Sequence, residues 1–156
     1  MEEITYFQAT ESDVQLLIDY RIAFLAGIHG TPDVQTENTL RATLQPYFEQ
    51  ALRNSTYISW YARCGEEIAG IGGIVIRQRS GTFKYPNGLE GYIMSIYTPE
   101  KFRRKGIATA ITNKLVETAI AMGVGIFELH ATAEGEGVYE ACGFKVHGQK
   151  TYRKYV

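Results

Sequence analysis

The chain has little that would divide it, staple it or anchor it. It carries 4 prolines and 2 cysteines in 156 residues, no long apolar run and no excess of charge of either sign. The prolines are scattered and no linker-like or repeated segment appears, so a single domain over residues 1–156 is expected. Cys64 and Cys142 stand far apart, which suits a reducing compartment and excludes a disulfide framework. The longest mostly apolar stretch, Ala119 to Phe127, is about half a membrane span and holds two glycines, which excludes a transmembrane helix. Met1-Glu2-Glu3 is acidic where a secretory signal is basic, so a cytoplasmic protein is expected, with no membrane partner. With 16 basic residues against 17 acidic ones, a net charge of -1 and a pI near 6.3, the chain lacks the basic excess of an extended nucleic-acid surface. His29 and His147 have no metal-ligand spacing with the cysteines, so no metal site is expected.

What is present is an ordinary core composition, 45% hydrophobic, on a chain long enough to bury about 70% of its unfolded surface. Ile4 to Ala9 reads as a strand. Thr10 and Ser12 offer cap oxygens to a helix carrying Val14, Leu17, Ile18, Ile22 and Leu25 at helical spacing, ending near Gly27 to Gly30. From Thr36 a second helical pattern runs through Leu40, Leu44, Phe48, Ala51 and Leu52, with Pro46 expected to kink or break it. Tyr57 to Arg63 and Ile68 to Arg79 read as a hairpin about Cys64-Gly65-Glu66-Glu67, and Gly70, Gly72 and Gly73 imply a bulge or a close neighbour on its second strand. Leu89 to Tyr97 follows as a strand, then a helix from about Gly106 to Met122 with Ile107, Ile111, Leu115, Val116 and Ile120 on one face. Ile126 to Ala131 is expected as a short buried strand, Gly137 to Ala141 as a short helix, and Phe144 to Val156 as two more strands. Such interleaving predicts an α/β sandwich on a mixed sheet.

The chemistry concentrates between Tyr92 and Thr109: a strand, a turn, then a helix start that holds Lys101, Arg103, Arg104 and Lys105. The first helical turn leaves main-chain N–H groups unpaired and the helix dipole adds positive charge there. Gly106 and Ala108 lack the bulk that would hold a phosphate away from those amides. Other glycine signatures fail. Gly70-Ile71-Gly72-Gly73 leads into a strand-like run, and no Gly-Lys-Ser/Thr is present for a nucleotide-triphosphate loop.

Arg103-x-x-Gly106-x-Ala108 after a strand resembles the Arg/Gln-x-x-Gly-x-Gly/Ala signature of the GCN5-related N-acetyltransferases. Tyr139-Glu140-Ala141-Cys142-Gly143-Phe144 resembles the same family's Tyr-Glu-x-x-Gly-Phe element, Leu129 to Gly135 its penultimate strand and loop, and Ala9 to Asp13 its opening. The resemblance implies a mixed, mostly antiparallel central sheet of six to seven strands, flanked by helices, with a V-shaped splay between two parallel strands. It implies acetyl-CoA as co-substrate, its pantetheine on Ile96, Tyr97 and Thr98 and its pyrophosphate on Arg103, Arg104, Lys105, Gly106, Ile107, Ala108 and Thr109. Thr132 stands where many members have an asparagine beside the pantetheine.

The implied reaction is direct attack of a primary amine, of a small molecule or peptide, on the thioester. Tyr139 is the implied acid. Glu90 is the first candidate for the base and His130 the next, and an amide near Ser95 or Ile96 is placed to polarise the thioester carbonyl. Asp19, Tyr20, Phe24 and Glu37 are candidate acceptor linings whose carboxylates suit a cation, and Tyr85, Tyr92 and Tyr97 are further candidates. Two other readings stay open, a non-catalytic acyl-CoA-sensing module and a small RNA-binding domain using the basic patch. A strand edge near Gln149 to Val156 would permit a homodimer.

Overall fold

The computed structural model describes residues 2–156. Five strands form one sheet in the order β1-β2-β3-β4-β5: β1 Ile4–Gln8, β2 Tyr57–Cys64, β3 Glu67–Gln78, β4 Leu89–Tyr97 and β5 Ile126–Glu128. The first four pair antiparallel, and β4 pairs β5 in parallel. Four helices flank them: α1 Val14–His29, α2 Val34–Arg53, α3 Ile107–Ala121 and α4 Glu136–Ala141.

The helix starts follow local hydrogen bonding. The Asp13 carboxylate accepts from the Thr10 amide at 2.8 Å and closes a short 3-10 turn, Glu11–Asp13, that leads into α1, so the expected hydroxyls of Thr10 and Ser12 do not cap α1 itself. Asp33 caps α2, its carboxylate accepting from the Thr36 amide at 2.8 Å. This starts α2 earlier than the apolar periodicity alone suggests. Helix α2 runs unbroken through Pro46, because Phe48 and Ala51 beyond it are buried against the sheet and hold the last turns in place.

Two apolar clusters lie on opposite faces of the sheet. On one, Leu17, Ile18 and Ile22 of α1 with Phe48 and Ala51 of α2 cover Tyr57 and Ile71. On the other, Ile107, Ile111, Leu115 and Ala119 of α3 cover Ile58, Ala62, Ile74 and Ile93. Ile120, expected on the buried face of α3, is instead 56% exposed, and Thr112 and Ala119 are buried in its place. The glycines of β3 explain how both layers fit so closely. A Cβ at Gly72 would lie 2.3 Å from Ile96 Cδ1 and 2.9 Å from Ile111 Cγ2, so the bare backbone lets α3 settle onto the sheet.

Two expectations for the C-terminal third are corrected. The sheet has five strands, not six or seven, because residues 145–156 form no regular structure and are all exposed; they bury no apolar face that would reward pairing. The strand edge near Gln149 to Val156 that would have permitted a homodimer is therefore not formed. Strand β5 is only Ile126–Glu128 and none of its residues is fully buried, so the longer buried strand to Ala131 is also corrected. Its pairing with β4 covers Glu90↔Ile126, Gly91↔Phe127 and Tyr92↔Glu128, whereas β4 itself continues to Tyr97.

At Gly73 the room is taken by an aromatic ring, since a Cβ there would lie 1.8 Å from the Tyr57 hydroxyl and 2.2 Å from its Cζ. Gly73→Ala is expected to lower unfolding free energy by about 1–3 kcal/mol in urea denaturation. An unchanged midpoint would show that the Tyr57 ring does not lie over Gly73.

Candidate functional site

The turn between β4 and α3 is shaped by two left-handed residues, Arg104 at φ 61° and Gly106 at φ 75°. The first main-chain amide with a helical acceptor is that of Ala110, which donates to the Gly106 carbonyl at 3.0 Å. Among the described residues, the amides of residues 104–109 donate to no group of the chain. A Cβ built on Gly106 meets nothing within 4 Å, so the missing side chain leaves open space directly outside these amides. Such a concavity, at the positive end of a helix, is built for an anion.

The basic residues around it do different jobs. Arg103 Nε donates to the Thr98 carbonyl at 3.0 Å and so braces the end of β4. Lys101 is paired with Glu67, and both Lys101 and Lys105 lie over the Phe102 ring. Arg104 and Lys105 are exposed, with no carboxylate within ion-pair distance among the described residues. Ile107 is buried in the core, so only its main chain faces outward, and Ala108 and Thr109 follow it in the first turn. The Thr98 hydroxyl is buried without a partner.

Helix α4 docks beside α3. The Cys142 thiol lies 3.8 Å from the Thr109 carbonyl, and Tyr139 packs its ring edge-on to Phe144 at 6.3 Å. Burial, then the neighbouring Cys142, raises the Tyr139 phenol above its ordinary pKa, so it stays protonated at neutral pH. Thr132 is exposed and its carbonyl accepts from the Gly135 amide at 3.0 Å, closing the turn that leads into α4.

Beyond Tyr92 the edge of β4 is bulged. The register with β3 slips between Ile71 and Gly73, and Ser95 sits at φ 56°. The slip turns Ile93 and Ile96 to the α3 face, and Met94 and Tyr97 to the α1 and α2 face. Arg21 of α1 donates through Nη1 to Ser95 Oγ at 3.0 Å. At the other end of β4, Glu90 is 12% exposed and held by Arg77 at 2.7 Å and Arg79 at 3.3 Å. It lies where β4 and β5 are paired, about 16 Å of strand from Ser95. As a base Glu90 is thus poorly placed, locked in two ion pairs away from the open edge. His130 is exposed, and its Nδ1 lies 3.3 Å from the Tyr92 hydroxyl at the point where β5 leaves β4.

The family model described as "Acetyltransferase (GNAT) family" matches residues 24–144. The chain belongs to that family. No curated protein sequence matches it. Among solved structures it is similar to a predicted acetyltransferase from Clostridium acetobutylicum, solved with acetyl-CoA, at 26% identity and TM-score 0.86, covering 97% of this chain and 96% of that one. A GCN5-related N-acetyltransferase from Ralstonia eutropha JMP134 shares the fold at 19% identity and TM-score 0.83, covering 97% and 99%. So does glucosamine-6-phosphate N-acetyltransferase from Arabidopsis thaliana, at 19% and 0.72, covering 99% and 100%.

On the α1 and α2 side of this GNAT sheet the expected acceptor carboxylates are tied up elsewhere. Asp19 and Glu37 both pair with Arg41, at 2.7 Å and 2.9 Å. Tyr20 packs on Tyr97 and Phe24 under Arg21. The sequence reading missed Arg21, Tyr47, Tyr57 and Met94, which line a cavity of about 340 Å³. Their only signal was helical and strand periodicity, which marks core and site positions alike.

Burial raises the phenol pKa of Tyr57 as well as that of Tyr139 above the ordinary value near 10. The unfolded chain loses these protons near that value while the folded chain keeps them, so stability is level below about pH 10 and falls above it. The urea midpoint is expected to drop between about pH 10 and about pH 11, and Tyr57→Phe to make the drop smaller. An equal drop in that variant would remove Tyr57 as a source.

Proposed function

We propose that residues 1–156 form one acetyltransferase domain that moves an acetyl group from acetyl-CoA to a primary amine of a small molecule or peptide, both bound at once. The observation that carries this reading is the run of undonated amides at residues 104–109, set at the end of a strand whose parallel partner has already left it. We read that parting as the V-shaped cleft, and the relative solved with acetyl-CoA supports the donor. Two unpaired cysteines suit a cytoplasmic setting.

Bound acetyl-CoA supplies an activated acetyl thioester. The amides from Arg104 to Thr109 take its pyrophosphate, with the charges of Arg104 and Lys105 beside them. Ile96 and Tyr97 offer main-chain groups on the free edge of β4 to the pantetheine, whereas Thr98 has its carbonyl occupied by Arg103 and contributes only its amide. Thr132 borders the other wall of the cleft.

An alkylammonium of pKa about 10.4 is neutral in roughly one molecule in several thousand at pH 7, a cost of about 4–5 kcal/mol, so a proton acceptor beside the amine is useful. We assign it to His130, whose imidazole is exposed at the parting of the strands beside Tyr92. As the C–N bond forms and the C–S bond breaks, the amine proton passes to that acceptor and the departing sulfur takes a proton from Tyr139. Its half-buried phenol is protonated at neutral pH and so can supply that proton.

Acetyl-CoA is expected to raise the melting temperature by mass action, and Gly106→Leu to abolish that rise at a strain cost of about 1–2 kcal/mol. A retained rise in the variant would contradict the cradle. With an amine library, release of free thiol separates an enzyme from an acyl-CoA sensor. Tyr139→Phe should cut turnover about a hundredfold and leave the thermal shift intact, and unchanged turnover would remove Tyr139 as the acid.

A further inference from the structure

The cavity beside the bulge of β4 has an apolar and aromatic wall, made by Leu44, Tyr47, Phe48, Tyr57 and Met94, and one charged group, Arg21. Its volume of about 340 Å³ falls at the small end of ligand pockets. Among the described residues no carboxylate lies within ion-pair distance of Arg21. Its one hydrogen bond goes to a neutral hydroxyl, that of Ser95. A guanidinium keeps its charge at any physiological pH and carries five donors, so most of its hydrogen-bonding capacity here is unused.

A second group points the same way. Tyr57 lines the cavity and is 4% exposed, and its hydroxyl donates to no group among the described residues while keeping some access to the cavity. The hydroxyl lies over Gly73, the residue of β3 that pairs with Met94 of β4, which puts it against the cavity wall. Tyr47 stands beside it, ring centroids 6.3 Å apart, and Arg21 acts electrostatically on both phenols. A phenol at a cavity surface that donates to no group of the protein is free to donate to a ligand. One permanent cation and two neutral phenol donors, with no acidic residue among the cavity's lining, form a receptor for an anion set in an apolar wall.

We propose that the acceptor is a small amine that itself carries an anionic group, a carboxylate or a phosphate, held by Arg21 with Tyr57 and Tyr47. This rests on the acetyltransferase reading and deepens it. Its physical content is opposite to what Asp19 and Glu37 suggest in the sequence, since both of those are neutralised by Arg41 on the outer surface.

The test uses matched pairs of amines on the purified protein saturated with CoA: phenylalanine against phenylalaninamide, and phosphoethanolamine against ethanolamine. Binding is read by calorimetry and turnover with acetyl-CoA by thiol release. In at least one pair the member that carries the anionic group is expected to bind about ten- to a hundredfold tighter than the partner that lacks it. The pair that shows the preference tells carboxylate from phosphate. Arg21→Met should erase the preference, Arg21→Lys restore part of it, and Tyr57→Phe weaken the anionic member several-fold while keeping the ring. Equal binding within both pairs, no binding by any of the four, or a preference that survives Arg21→Met would overturn the proposal. A melting temperature that does not respond to acetyl-CoA would instead overturn the acetyltransferase reading itself, so the two failures are told apart.

Discussion

One strained residue organises the working part of this protein. Ser95 holds φ 56° without being glycine, a conformation that costs on the order of 1 kcal/mol or more. The bulge it creates breaks the alternation of β4, so that Ile93 and Ile96 pack against α3 while Met94 and Tyr97 face α1 and α2. Arg21 reaches from α1 to bond its hydroxyl and thereby fixes the geometry from outside the sheet. The same strand loses its parallel neighbour just before the bulge, after Tyr92. A strand that is bulged and unpaired on one side presents main-chain groups to a ligand, whereas a regular central strand would have spent them on its neighbours.

The two halves of the site rest on different physics. At residues 104–109 the main chain does the shaping: two left-handed residues turn the backbone, and among the described residues the amides there find no acceptor. Side-chain identity matters there chiefly as absence, at Gly106, where a Cβ would project into the open space outside those amides. The cavity on the opposite face is built from side chains drawn from α1, α2, β2 and β4, and its character depends on which of them meet. Under the proposed function, such a division lets one fold keep a common donor site while its acceptor wall varies.

Much of the fold was legible because the responsible signals are local. Periodic apolar residues placed α1, α3 and the β2–β3 hairpin, and the glycines of β3 announced a close neighbour that turned out to be α3 and the Tyr57 ring. The misreadings share a cause. Residues 145–156 have strand-like composition but no apolar face to bury, and β5 is short because β4 turns away from it. Pro46 is tolerated in α2 because burial of Phe48 and Ala51 outweighs one missing hydrogen bond. In the site, Glu90 and Asp19 looked available because a carboxylate on a strand or helix does not reveal its partner, and arginines from other elements had claimed both.

By itself, the sequence determined the family and the open run of amides ahead of α3, because Arg104 to Thr109 makes that run from contiguous backbone whose conformation follows from its own residues. Only the tertiary structure decided which charges remain free. Arg41 neutralises Asp19 and Glu37, Arg77 and Arg79 hold Glu90, and Arg21 is left facing a cavity with no acid to answer it. Ion pairing and desolvation act between elements distant in the chain, so the electrostatic character of that face exists only once the helices have docked on the sheet.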